Sequence, residues 1–104
     1  MLTSNIETLP GYRITQHLGL VEGSTVRAKN VGRDILSSIK NLFGGELESY
    51  TDLMREARAE AETRMLEAAK QLGANAVINI RFSTTSIADG ASEVLAYGTA
   101  VVVE

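Results

Sequence analysis

The basic side chains that could hold an anion lie close together in one short polar stretch, which contains Arg27, Lys29, Asn30, Arg33 and Asp34. Asn30 precedes a segment of helical periodicity and is predicted to cap the N-terminus of that helix. Free backbone amides and the helix dipole favour a negative charge at such an end. The stretch therefore predicts a site for a small anion. The alternative is a capped helix start whose charges are solvated.

Tyr50 and Arg58 form a second candidate pair. They lie two turns apart on a predicted helix and could flank a shared cleft. The alternative is structural, with Tyr50 buried and its hydroxyl bonded to a partner. Asn75 follows Gly73 at a bend that favours left-handed backbone. Ligand binding is therefore predicted at Arg27, Asn30, Arg33, Tyr50 and Arg58, with no pattern that identifies a cofactor.

His17 is the one histidine of the chain, and there is no cysteine. Transition-metal sites are usually built from several cysteine or histidine ligands at short spacing. His17 is therefore the candidate metal ligand, and the alternative is a polar residue on a half-exposed strand. In a ring of identical subunits, one histidine per chain becomes a cluster around the symmetry axis.

Catalytic constellations are not visible in the sequence, and we predict that the protein is not an enzyme. The serines lack a neighbouring base, because His17 has no evident relation to them. Gly44-Gly45 lacks the Lys-Ser/Thr of a phosphate loop. Four carboxylates lie on an outward helix face among arginines, where surface ion pairs explain them: Glu56, Glu60, Glu62 and Glu67.

Length and composition predict a single domain over residues 1–104. The net charge of −3 argues against a nucleic-acid partner, which requires a basic face. No signal peptide and no apolar run of about 20 residues is recognised, so we expect a cytoplasmic protein without membrane contact.

The first predicted element is a strand over residues 12–22, in which Gly19 indicates a bulge or a close backbone approach. Gly23-Ser24 is interpreted as a turn. Residues 25–28 are a short extension of the sheet.

Two helices follow. The first runs from Asn30 to about Leu42 and ends at Gly44-Gly45. The second runs from about Tyr50 to Leu72, is capped by Ser49 and ends at Gly73. Its predicted buried stripe is rich in alanine, which allows close packing: Tyr50, Leu53, Ala57, Ala61, Met65, Ala68 and Leu72.

Two strands over residues 76–87 and 93–103 complete the chain as a hairpin with a glycine-containing loop. The first places Ala76, Ile78, Ile80 and Phe82 on one face. The second is apolar on both faces, with Leu95, Tyr97, Val101 and Val103 opposite Val94, Ala96, Gly98, Ala100 and Val102. A strand buried on both faces requires cover on both faces. We therefore expect a second copy of the chain to close the face that carries Leu95 and Tyr97.

These elements predict an α+β fold of β-α-α-β-β order, with a short and a long helix on one face of a small mixed sheet. The crossover through the helices is expected to be right-handed and parallel. The predicted assembly is a ring-forming homo-oligomer.

Three segments of the chain resemble the YbjQ-like family: residues 23–31, 50–61 and 69–77. The resemblance implies a β-α-β-β subunit that is similar to dodecin subunits and is assembled as a pentameric ring. Because the family is described as heavy-metal-binding, the resemblance also implies a metal ligand. Three hypotheses for function follow. They are a non-enzymatic oligomeric module that binds a small ligand or metal ion, a scaffolding ring that contacts another protein, and an enzyme with an active site between subunits.

Overall fold

The computed structural model describes residues 1–28 and 46–104, with side chains from residue 50 onward in the second range. The elements are β1 (Leu2–Thr3), β2 (Ile14–Ala28), α1 (Glu46–Gln71), β3 (Ala76–Ala88) and β4 (Ala91–Val103). The predicted short helix from Asn30 to Leu42 lies outside the described residues, as do Asn30 and Arg33. Within the described ranges, α1 is the one helix.

The sheet has four strands in the order β1-β3-β4-β2. Strand β4 pairs antiparallel with both β2 and β3, and the short β1 pairs parallel with β3. The α+β class and the mixed sheet are confirmed, whereas β1 was not predicted. Strands β2 and β3 run in the same direction, as expected, but β4 lies between them, so the crossover does not join neighbouring strands.

Strand β2 continues through Gly23 and Ser24, and the predicted turn there is wrong. Gly23 is paired with Ala96 and Ser24 with Leu95. A Cβ atom on Gly23 would lie 2.3 Å from the carbonyl oxygen of Ala61 and 2.3 Å from the backbone nitrogen of Met65. The glycine therefore marks the closest approach of α1 to the sheet rather than a change of chain direction.

Gly19 confirms the predicted bulge. Its φ is +111°, and the pairing of β2 with β4 shifts register between His17 and Gly19. A positive φ is inexpensive for glycine because it has no Cβ atom. From Gly19 to Ala28 the register is regular.

Helix α1 begins before its predicted start and ends close to its predicted end. Ser49 is not the cap, because the helix begins at Glu46. At the other end Gly73 has a φ of +89°. Its N–H donates to the Lys70 carbonyl at 3.0 Å, and the Ala74 N–H donates to the Ala69 carbonyl at 3.1 Å. This is a Schellman motif, and it confirms Gly73 as the stop.

The buried stripe of α1 is shorter than predicted. Tyr50 is 40% exposed and Leu72 is 51% exposed, so both ends of the predicted stripe are wrong. Each step of four residues rotates a stripe by about 40° around the helix. Met54 and Ala69 are therefore buried in place of the predicted Leu53 and Ala68. The buried residues are Met54, Ala57, Ala61, Met65 and Ala69. Alanines at three of these positions allow the close approach to Gly23.

Strand β3 changes phase at Asn79, which has a φ of 54°. The pairing with β4 shifts register between Ile78 and Arg81. A bulge reverses which side chains face each side of the sheet. Ile80 therefore packs with the residues of α1, whereas Ala76 and Ile78 pack on the other face. The prediction that all of them share one face with Phe82 is wrong.

The face away from α1 is partly covered within the chain. Leu9 from the N-terminal segment packs there with Val101 and Val103, which are 0% and 5% exposed. The expectation that these two valines need a second copy is therefore wrong. Leu95 and Tyr97, farther along β4, are only half-buried.

Candidate functional site

Arg27 belongs to a polar cluster that joins β2 to α1. Its guanidinium donates to the Glu60 carboxylate and to the Thr25 hydroxyl at 3.0 Å. Arg64, one turn after Glu60, donates to the same carboxylate and to the Ser24 carbonyl. We call Arg27, Glu60 and Arg64 the arginine–glutamate cluster.

Two guanidinium groups against one carboxylate leave this cluster with an excess of positive charge. The hydrogen bond from Arg27 holds the pKa of Glu60 below its ordinary value, against the opposing effect of desolvation, and the charges of Arg27 and Arg64 act in the same direction as the hydrogen bond. Glu60 therefore stays ionised at neutral pH. The arrangement suits attraction of an anion better than proton transfer.

The lowered pKa of Glu60 predicts a pH-dependent contribution to stability. The contribution is fully present above the ordinary value of 4.5, and it is lost as the pH falls through the lower folded-state pKa. We expect Glu60→Gln to lower stability at neutral pH and the deficit to shrink on acidification below 4.5. Urea denaturation at neutral and acidic pH measures this.

Glu56→Gln is the matched control, since Glu56 is exposed on the same helix. It should keep wild-type stability at neutral pH. A deficit of Glu60→Gln that is equal at both pH values would contradict the assigned charge interaction.

The other predicted ligand-binding residues are not gathered around Arg27 in the described part of the chain. Arg58 is exposed on α1. It lies two residues before Glu60 and therefore about 200° around the helix, on the side away from the cluster. Tyr50 is also exposed, so its structural alternative as a buried tyrosine is wrong. Asn30 and Arg33 lie outside the described residues, and the predicted ligand site stays a prediction.

His17 is exposed on β2, in register with Val101, on the face away from α1. In residues 1–28 and 46–104 no group of three or more His, Asp or Glu side chains is placed to hold a metal ion. His17 stays the candidate ligand predicted from the sequence.

Asn75 has a structural role, but not in left-handed backbone as predicted, since among the described non-glycine residues Asn79 is the one with a positive φ. Its side-chain nitrogen donates to the Val103 carbonyl at 2.8 Å, and its side-chain oxygen accepts from the Val103 N–H at 2.8 Å. The amide thus satisfies both backbone groups of Val103, as a neighbouring strand would. Asn75 fixes the end of β4 beside the start of β3.

Asn75→Ala is expected to lower the free energy of unfolding by about 1–3 kcal/mol, because both hydrogen bonds are lost. Chemical denaturation measures the change. Asn5→Ala is the control, since among the residues that the structure describes Asn5 takes part through its backbone carbonyl, which accepts from Arg81. Equal stability of Asn75→Ala and wild type would contradict the role of the amide.

In the described ranges no helix combines the length and the apolarity that crossing a bilayer requires.

Comparison with known proteins places the chain in a family. A family model described as "Putative heavy-metal-binding" matches residues 1–104. A UPF0145 protein of Hahella chejuensis is 62% identical over the full length of both chains. The chain belongs to the UPF0145 family. A UPF0145 protein of Thermus thermophilus is 53% identical over all of this chain and 91% of its own length. The YbjQ-like resemblance is thereby confirmed.

The fold of this UPF0145 chain is similar to that of a solved structure. It is a protein of unknown function from the DUF74 family of Pediococcus pentosaceus, with a TM-score of 0.61 and 18% identity. The match covers 100% of this chain and 98% of the other. At this identity the likeness shows the fold alone.

Proposed function

We propose that this UPF0145 protein is a non-enzymatic homo-oligomeric module, a ring of five copies that holds a small ligand or metal ion between subunits. The proposal is supported by large apolar side chains left exposed on the outer strand β2 and on the part of β3 beyond its pairing with β1. Leu20 and Val26 on β2 are 71% and 52% exposed, and Phe82 and Ile87 on β3 are 43% and 53% exposed. A further copy of the chain placed at either edge would remove such side chains from water.

The energetic scale is consistent with association. Burying one large apolar side chain stabilises by about 1.5–3 kcal/mol. Several such side chains per subunit are therefore comparable with the roughly 4–15 kcal/mol that association costs in lost freedom. Assembly is favourable if these residues become covered.

A metal ion bound to this protein would be shared between copies. The described part of one chain gathers no complete ligand set, but His17 lies on the outer strand β2. Symmetry would bring several copies of His17 together around an axis. The family description favours this ligand class.

A small anion is the other candidate ligand. The arginine–glutamate cluster carries excess positive charge at the end of β2, immediately before Lys29, Asn30 and Arg33 in the chain. The ionised Glu60 supports a binding role over acid–base catalysis. The cytoplasmic location and the lack of a nucleic-acid partner stay predictions from the sequence.

Native mass spectrometry with elemental analysis tests assembly and ligand together. We expect a pentamer mass with a retained metal ion or small molecule. His17→Gln is the matched variant, and it should lose a bound metal while keeping the pentamer mass. A mass of one subunit would overturn the proposal. A pentamer without any ligand would favour the alternative, a scaffolding ring that presents α1 to another protein.

A further inference from the structure

The sheet has two outer edges that no described strand covers. Strand β2 pairs with β4 on one side only. Strand β3 is covered by β1 at Ala76 and Val77, and the N-terminal segment continues this cover, since the Asn79 and Ile80 N–H groups donate to Ile6 and Ser4. Arg81 reaches the Asn5 carbonyl. Beyond Arg81, residues 82–88 have no outer strand among the described residues.

Both edges are suited to pairing. Outer strands that avoid association usually carry proline, lysine or an interrupting bulge. Residues 20–28 of β2 contain no proline and no lysine, and residues 82–88 of β3 contain no charged residue at all. The register of β2 is regular after the bulge at Gly19. Two local features interrupt these edges. The pairing of β3 with β4 shifts register between Ser86 and Ala88, and the Ser24 carbonyl of β2 already accepts from Arg64. The regular part of the β3 edge is therefore residues 82–86.

We infer that the outer edge of β2 in one subunit pairs in parallel with residues 82–88 of β3 in the next subunit. The inference rests on the proposed homo-oligomer and specifies how its copies join. Strands β2 and β3 run in the same direction, because both are antiparallel to β4. If the strands run along the symmetry axis of the ring, rotation from one copy to the next leaves the strand direction unchanged. The β2 edge of one copy and the β3 edge of the next are therefore parallel. Such head-to-tail contacts satisfy both edges of every copy when the ring closes.

The position of α1 fits this arrangement. The helix packs against β2 and β4 and scarcely contacts β3. Phe82 lies level with Ala96 and Gly23 on the helix side of the sheet, yet it is 43% exposed. A neighbouring β2 beside Phe82 would bring the α1 of that neighbour over the ring of Phe82. The exposed phenylalanine is thus covered by a second copy.

On the face of the sheet away from α1, the two edges also carry opposite charges. Glu22 of β2 and Arg81 of β3 are both level with Tyr97, at opposite edges of the sheet. Edge-to-edge joining brings the glutamate of one copy toward the arginine of the next. A second copy therefore complements both edges, whereas an unrelated peptide strand would cover one edge and leave the other exposed.

Engineered cysteines can report this contact without background, because the chain contains no cysteine. Ser24 and Ser83 are both level with Leu95, on opposite sides of β4. Two strand spacings separate their Cα atoms by roughly 9.5 Å, beyond the about 4.4–6.8 Å that a disulfide allows. A disulfide between these positions must therefore join two subunits.

The experiment combines Ser24→Cys in turn with Arg81→Cys, Ser83→Cys and Thr85→Cys. These three pairs allow β2 of one subunit to be shifted in either direction along β3 of the next. After mild oxidation, non-reducing electrophoresis should show for at least one pair a ladder of cross-linked species up to the complete ring. Each single variant is the control and should stay uncross-linked.

Two results would overturn the inference. Dimers from Ser24→Cys alone would indicate that β2 pairs with β2 across a two-fold axis. The lack of a ladder from every pair, in protein whose mass is oligomeric, would place the interface elsewhere and leave the proposed assembly intact. A mass of one subunit would instead overturn the proposed function itself.

Discussion

Gly23→Ala is expected to lower the free energy of unfolding by about 1–3 kcal/mol, as overpacking of a close contact does. The added Cβ atom would lie 2.3 Å from the Ala61 carbonyl oxygen and 2.3 Å from the Met65 nitrogen. Both are backbone atoms of α1, so no side-chain rotation relieves the clash. The helix must move away from β2, which loosens the packing of Ala57, Ala61 and Met65.

Urea denaturation of wild type and variant measures this effect. Ser24→Ala is the matched control, because Ser24 is the next residue, faces away from α1 and uses only its backbone carbonyl in bonding Arg64. Its stability should stay within about 0.5 kcal/mol of wild type. Wild-type stability for Gly23→Ala would show that α1 does not lie directly on β2.

Phe82→Lys is expected to convert the assembled protein into single subunits. The change removes an apolar side chain from the proposed contact and adds a lysine, which blocks pairing at sheet edges. Phe82 is already 43% exposed within one subunit, so the subunit should remain folded. Light scattering gives the mass, and circular dichroism confirms the fold.

Leu72→Lys is the control for this prediction. Leu72 is 51% exposed, but it lies directly after the last residue of α1, Gln71, and outside the proposed contact of residues 82–88. This variant should keep the mass of the wild type. If Phe82→Lys also keeps that mass, the edge of β3 is not part of the interface.

The regular elements could be predicted because their periodicity is uninterrupted. Strand β4 alternates without a bulge, and Val94, Ala96 and Ala100 are buried toward α1 as expected. The predicted alternation of β3 was wrong beyond Asn79. Asparagine tolerates a positive φ, and the alternating pattern of the sequence does not signal one. Gly23 was interpreted as a turn, and only the position of α1 shows that this glycine allows a close contact instead.

Contacts between distant parts of the chain were beyond the reach of local patterns. Arg27 was predicted as a ligand-binding residue, whereas its pairing with Glu60 joins two elements that no spacing rule relates. Leu9 covers Val101 and Val103 from a segment without periodicity, and β1 has only two residues. The metal and anion candidates, His17 and the residues near Asn30, depend on neighbours that one chain's sequence does not specify.

In the proposed ring, the open edges of the sheet are closed by further copies of the same chain. Sedimentation equilibrium of the untagged protein at micromolar concentration measures whether these copies associate. We expect the mass of a closed pentamer, unchanged on dilution through that range. A single-subunit mass under the same conditions would contradict the proposed ring.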